Sequence, residues 1–229
     1  MTPPPALTTP RHRRPARRRR AATGLAGVLV VGAGVTAGWP LLTNLYQSRL
    51  QHRLAARLSQ PSAARAFRSD AVPVGDSLTR LRIPALGVDV VVVEGTTDDV
   101  LRAGAGHYPG TPLPCQAGNV AIAGHRTTYG RPFADLDRLR PGDRVVLDTP
   151  LGTCAYTVDR SPFSVLPDAT WVVAPDPGSS TLTLTTCTPR GSASHRLIVK
   201  AHLSTPAPRG ADVGRHDPPR TPSSLVSSS

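Results

Sequence analysis

The sequence predicts a mainly β domain carried behind one N-terminal transmembrane helix, and three observations carry that prediction. Between Ser77 and Ser204, short runs of β-type residues are separated by Gly, Pro and Asp. Ahead of them, 22 residues (21–42) run without a charge, enough to cross a hydrocarbon layer about 30 Å thick as a helix. The formal charge of +12 is concentrated before the β-rich part: residues 1–74 carry 12 Arg and one Asp, whereas residues 75–204 balance 11 Arg and Lys200 against 12 acids. A neutral periodic segment has no basic nucleic-acid-binding face, so no nucleic-acid partner is expected. With 229 residues the chain holds one ordinary domain plus flanks.

Taken in order, residues 1–20 are rich in Pro and Arg, cannot bury a core, and are expected to form a disordered cytoplasmic arm. AATGLAGVLVVGAGVTAGWPLL (21–42) is the transmembrane candidate, with a cleaved signal peptide or a buried helix as the alternatives. Seven arginines on its N-terminal flank are expected to hold that end in the cytoplasm and to place the rest of the chain outside, in a single-pass arrangement. Residues 43–76 read as an extracellular juxtamembrane stalk and linker: Leu45, Leu50, Leu54 and Leu58 fall at near-helical spacing, and Pro61, Pro73 and Gly75 follow. The folded domain is expected over 77–204.

Within it, strands are predicted at 78–84, 88–95, 119–125, 143–149, 154–160, 180–187 and 195–203, which argues for a barrel or a sandwich. TTDDVLRAG and FADLDRL are the only helical stretches, with Thr96 or Thr97 and Pro132 near their starts. Residues 205–229 are Pro-, Ser- and Gly-rich and are expected to be a disordered tail.

Three residues form a set with chemical logic. Cys187 ends the alternating run TLTLTTC, where the chain leaves a sheet; His125 closes NVAIAGH at another strand end; Arg196 begins RLIVKAHL, nine residues after Cys187. A thiol with an ordinary pKa of about 8.5 needs a basic or cationic neighbour to act as a thiolate. Histidine can protonate a departing amine and deprotonate an incoming one. Arginine stays charged throughout and can hold the oxygen that becomes negative in a tetrahedral intermediate. Tyr129 and Thr186 are candidate substrate-binding residues; for Tyr129 the alternative is a loop tyrosine capping the barrel. Cys115 and Cys154 either bridge a loop to a hairpin or remain two free thiols. No C-x-x-C or H-x-x-x-H spacing is present, so neither a metal site nor a cofactor is expected.

The stretches AIAGHRTTYG and LTLTTCTPRGSASHRLIV, 62 residues apart from histidine to cysteine, together with RIPALGVDVVV, GHYPGTPLP and FADLDRLRPGDRV, resemble the sortases, most of all the actinobacterial class E group. The resemblance spans about residues 77–204. It implies an eight-stranded β-barrel with short helices and a catalytic trio of Cys187, His125 and Arg196. It also implies the reaction of a membrane-anchored cysteine transpeptidase. Such an enzyme cleaves an LAxTG- or LPxTG-like sorting signal of a secreted protein between Thr and Gly, through a thioacyl intermediate. It then joins the Thr carbonyl to an amine, typically that of a cell-wall peptide precursor. The chain departs from the class E pattern at Thr188, where His is common, and at Cys115 and Cys154, which leaves the signal preference open. The competing readings are a pilus-polymerising sortase, which differs only in its acceptor, and a membrane-tethered binding domain without catalysis.

Overall fold

The structure is a computed structural model that describes residues 47–205. The basic arm, the charge-free segment 21–42 and the tail beyond Thr205 lie outside the described residues, and among those described no helix is long and apolar enough to cross a membrane.

Among the described residues nine strands follow in order: β1 (Ser77–Ile83), β2 (Val88–Glu94), β3 (Ala105–His107), β4 (Gly118–Ala123), β5 (Arg144–Thr149), β6 (Gly152–Val158), β7 (Phe163–Val165), β8 (Ser180–Thr188) and β9 (His195–Thr205). Eight of them pair as β6-β5-β1-β2-β3-β4-β8-β9, and a β6–β9 pairing closes the ring. The long β9 makes closure possible. Along one edge, residues 195–202 pair with β8; along the other, 196–198 take the short β7 and 201–205 take β6.

Alternation along the strands decides what lies inside. Leu81 and Ile83, Val90 and Val92, Val120 and Ile122, Val145 and Leu147, Cys154 and Tyr156, Leu182 and Leu184, and Leu197 and Val199 converge in one buried cluster. A small barrel has just enough interior for such a set of side chains. Phe133, Leu136 and Leu139, from the segment expected to be helical, join this cluster from the end where β4 and β8 finish; a single 3-10 turn, Leu136–Arg138, forms there. Cys115 and Cys154 are joined in a disulfide with a Cα–Cα distance of 5.8 Å, which ties the loop before β4 to β6. Beside it the Tyr156 hydroxyl accepts from the Cys115 N–H at 3.1 Å, and burial raises the Tyr156 phenol to about 12.

Residues 47–76, read from sequence as stalk and linker, belong to the barrel's compact unit, which begins at Gln47. A helix over residues 47–58 (α1) is followed by α2 (Pro61–Arg68). Leu54 of α1 packs with Val91 and Val93 on the outer face of β2 and with Val100 of α3 (Asp98–Ala103). Phe67 of α2 packs with Leu78 and Leu113. The Gln51 side chain takes the place of a strand residue: its Oε1 accepts from the Val91 N–H at 2.7 Å and its Nε2 donates to the Ala103 carbonyl at 2.6 Å. The linker signal at Pro61 misled because a proline in the first helical turn removes only an N–H that has no helical partner there.

Candidate active site

β4 and β8 run parallel, with Ala123 opposite Thr185. The register continues past the strand end, since the Gly124 N–H donates to the Thr185 carbonyl at 3.1 Å and the Thr186 hydroxyl donates to the Gly124 carbonyl at 2.7 Å. Two residues beyond the Ala123–Thr185 pair, His125 therefore stands level with Cys187. Across the other edge of β8, Cys187 is the antiparallel partner of Arg196. Even-numbered residues of β4 and β8 and odd-numbered residues of β9 fill the core. His125, Cys187 and Arg196 thus share the opposite, outward face at one end of three adjacent strands.

All three are half-buried. Cys187 is the free cysteine among the described residues. Arg196 donates through Nη1 to the carbonyls of Ala193 and His195, at 3.1 and 3.2 Å, in the β8–β9 connection. Burial is the main influence on His125 and lowers its pKa below the usual histidine value; Arg102 of α3 adds to this and Asp98 opposes it. The backbone behind His125 is held by the Phe133 N–H, which donates to the His125 carbonyl at 3.1 Å. Gly124 is required here because a Cβ would meet the Phe133 ring at 2.6 Å.

Tyr129 lies in the loop after His125, the two ring centroids 5.2 Å apart, and the Arg102 guanidinium sits 5.8 Å from the tyrosine centroid. Tyr129, Gly130 and Arg131 are consecutive left-handed residues with φ of 49, 70 and 50°. At Gly130 a Cβ would meet the Gln47 side chain at 2.5 Å, so α1 packs directly on this loop. Thr186 is buried within the barrel wall and its hydroxyl is engaged by Gly124, which places it behind the rim rather than on the outward face.

Two features of the neighbourhood escape sequence reasoning. One is Arg126, 6% exposed, which bonds beneath Cys187 to Thr188, the Cys187 carbonyl, Ala134 and Asp137. It continues the even-numbered, inward series of β4, which is the signal that marks it. The other is the segment between β7 and β8. Its Val172 carbonyl accepts from Lys200 Nζ at 2.6 Å, from Asn119 Nδ2 at 3.1 Å and from the Thr183 hydroxyl at 3.2 Å, all on the outer face below the trio. The segment presents Leu166 and Trp171 to solvent beside β7, whose Val165 is paired with Arg196. Burial lowers the pKa of Lys200, the lone lysine of the chain.

A thiol, an imidazole and a guanidinium on adjoining strand ends of a closed barrel are the groups that cysteine acyl transfer uses. The Sortase domain family model matches residues 81–204, and the chain belongs to the sortase family. It is 35% identical to Sortase SrtE1 of Streptomyces coelicolor over 149 residues, which cover 59% of this chain and 42% of that protein. The chain thus spans less than half the length of that relative. Among solved structures, a Clostridium perfringens sortase D5 transpeptidase superposes with a TM-score of 0.60 at 30% identity, covering 69% of this chain and 97% of the other. Streptomyces coelicolor sortase E1 with a tripeptide in its active site gives a TM-score of 0.53 at 30% identity, covering 62% and 96%.

Proposed function

We propose that this chain is a membrane-anchored cysteine transpeptidase acting outside the cell on proteins that carry an LAxTG- or LPxTG-like sorting signal. The observation that carries this reading is the register that sets His125, Cys187 and Arg196 abreast on the outward face of β4, β8 and β9. The Cys187 thiolate attacks the Thr carbonyl of the signal, and Arg196 stabilises the oxygen that becomes negative. Collapse of the tetrahedral species breaks the Thr–Gly bond; the imidazolium of His125 gives its proton to the departing glycine amine, leaving a thioester on Cys187. A cell-wall peptide amine then attacks the thioester, passes a proton to His125, and leaves with the Thr carbonyl as a new amide while the thiolate is regenerated. Tyr129 lines the approach of the signal, a role supported by its ring centroid lying 5.2 Å from that of His125. The tripeptide held in the active site of the Streptomyces coelicolor relative favours a peptide in this position.

The test incubates the soluble segment 47–205 with LAxTG and LPxTG peptides and an amine acceptor, and compares it with Cys187→Ala by mass spectrometry. The expected result is a thioacyl adduct and a product joined at the Thr carbonyl, both lost in the variant. A folded protein that forms neither adduct nor product with either peptide would favour the non-catalytic binding domain instead.

A further inference from the structure

Arg126 has no role in the chemistry described above, yet it is the most deeply buried arginine near the reacting thiol. Removing a guanidinium from water costs several kcal/mol unless its donors are matched, so a buried arginine is retained where its partners need it. The partners here are informative. Nη1 donates to the Thr188 hydroxyl at 2.7 Å and to the carbonyl of Cys187 itself at 3.4 Å; Nε donates to the Ala134 carbonyl at 3.4 Å; Nη2 pairs with Asp137 at 3.1 Å. One planar fork thus joins the end of β8 to the segment that closes the mouth of the barrel, a geometry that the single point charge of a lysine cannot reproduce. The far side of that segment is tied to the chain just past the nucleophile, because Arg190 pairs with Asp135 at 2.7 Å and with Asp137 at 3.5 Å.

We propose that Arg126 is a positioning residue of the acyl-transfer centre: it fixes the peptide unit of Cys187 from behind, so that the outward thiol keeps its register with His125. The sequence position makes the coupling direct. His125 faces outward and Arg126, its neighbour, faces inward, so the residue that grips the nucleophile's backbone is covalently joined to the proton partner. The Thr188 hydroxyl replaces part of a ladder that ends at this point, since β8 stops at Thr188 and the parallel β4 has already ended at Ala123. Without Arg126 the end of β8 keeps its pairing with β9 on one side but loses its tie toward the histidine. The consequence falls on the chemical step and not on peptide affinity.

This inference rests on Cys187 acting as the nucleophile, and the test separates the two. Full-length wild-type protein in mild detergent is compared with Arg126→Met and Arg126→Lys. Each is normalised by the number of Cys187 thiols that form a thioacyl adduct with an LAxTG or LPxTG peptide. Displacing a reacting group by about 1 Å costs on the order of a hundredfold in rate, so Arg126→Met is expected to lower kcat by about that factor with KM within about twofold. Arg126→Lys is expected to recover part of the loss. Unchanged kcat per competent thiol, or a rise in KM alone, overturns the proposal. Should Arg126→Met fail to fold, Thr188→Val decides: a fall in kcat on the order of tenfold at unchanged KM supports the role, and an unchanged kcat overturns it. A wild-type protein that forms no thioacyl adduct overturns the nucleophile assignment, and the role of Arg126 with it.

Discussion

Reducing the Cys115–Cys154 disulfide is the perturbation whose size follows most directly from the structure. The bridge closes a loop with a sequence separation of 39. Constraining a loop of that length in the unfolded chain contributes about 4 kcal/mol at 25 °C by the chain-entropy relation. Cys154 is fully buried on β6 within the core cluster, and the loop carrying Cys115 is also held by the bond from its N–H to Tyr156. The folded state therefore retains other contacts at this point when the sulfurs part, and the loss falls mainly on the unfolded side. For a domain of this size, a loss of about 4 kcal/mol lowers the melting temperature by about 8–16 °C. The measurement is urea unfolding of segment 47–205 with and without a phosphine reductant, which leaves Cys187 as a free thiol in both arms. Far-UV circular dichroism is the suitable probe, because Trp171, the lone tryptophan of that segment, is 60% exposed and reports poorly on core packing. Two stabilities within about 0.5 kcal/mol of each other refute the loop-entropy argument. Three free thiols in the denatured, unreduced protein would remove the bridge itself.

Three further outcomes are expected. Because burial lowers the pKa of His125, the folded state binds fewer protons there than the unfolded chain below the ordinary histidine value of about 6.5. The contribution to stability is complete above that pH and is lost as the pH falls through the lowered pKa, and Arg102→Gln, which removes a nearby cation, moves the acidic limb of kcat/KM upward; a limb that moves downward contradicts this. Gly130→Ala forces a Cβ into Gln47 at a φ of 70°, so it is expected to cost about 1–3 kcal/mol in urea unfolding and to disturb the Tyr129 loop. Lys200→Met removes the donor to Val172 and Thr183 and is expected to cost about 1–3 kcal/mol and to raise KM for the signal peptide by loosening the segment between β7 and β8; an unchanged KM argues that this segment does not border the peptide.

The seven strands legible in the sequence are those long enough to show alternation, and each one forms. β3 and β7 did not register because three residues, Ala105–His107 and Phe163–Val165, are too few to display a period of two. Their places are set by neighbours: β3 bridges β2 to β4, and β7 fills the half of the β9 edge that β6 leaves open. At the site, His125 follows Gly124 and Cys187 precedes Thr188-Pro189 where strands end, and Arg196 lies at the start of the strand that follows, so sequence alone marks these positions as strand ends. Which strands lie side by side was not legible, since the parallel β4–β8 pairing joins residues more than 60 positions apart. Arg126 shows the same limit from another side. A single arginine after a histidine reads as surface in sequence, although the alternation that puts Val120 and Ile122 in the core also turns that position inward. The bridge between Cys115 and Cys154 was likewise one of two alternatives until the fold set their separation.

The N-terminal helices give the reading that departs furthest from the sequence, and it has a direct test. Truncation at Ser77 would remove Leu54 and Phe67, 3% and 5% exposed, from contacts with Val91, Val93, Val100, Leu78 and Leu113. Burying two such side chains contributes about 3–6 kcal/mol. The cut would also free the Val91 N–H and the Ala103 carbonyl, both held by Gln51, and the Ser77 hydroxyl, which donates to the Leu54 carbonyl at 2.8 Å. The outer face of β2 would then expose a valine pair beside an unpaired stretch of strand edge, the arrangement that invites aggregation. Segment 77–205 is therefore expected to be insoluble or at least about 3 kcal/mol less stable than segment 47–205, and to show reduced transpeptidation because Gln47 no longer supports the Tyr129 loop. Equal urea midpoints and equal kcat for the two segments would return residues 47–76 to the role of a spacer; a stability loss with Gln51→Ala alone, of about 1–3 kcal/mol, would place them within the catalytic unit.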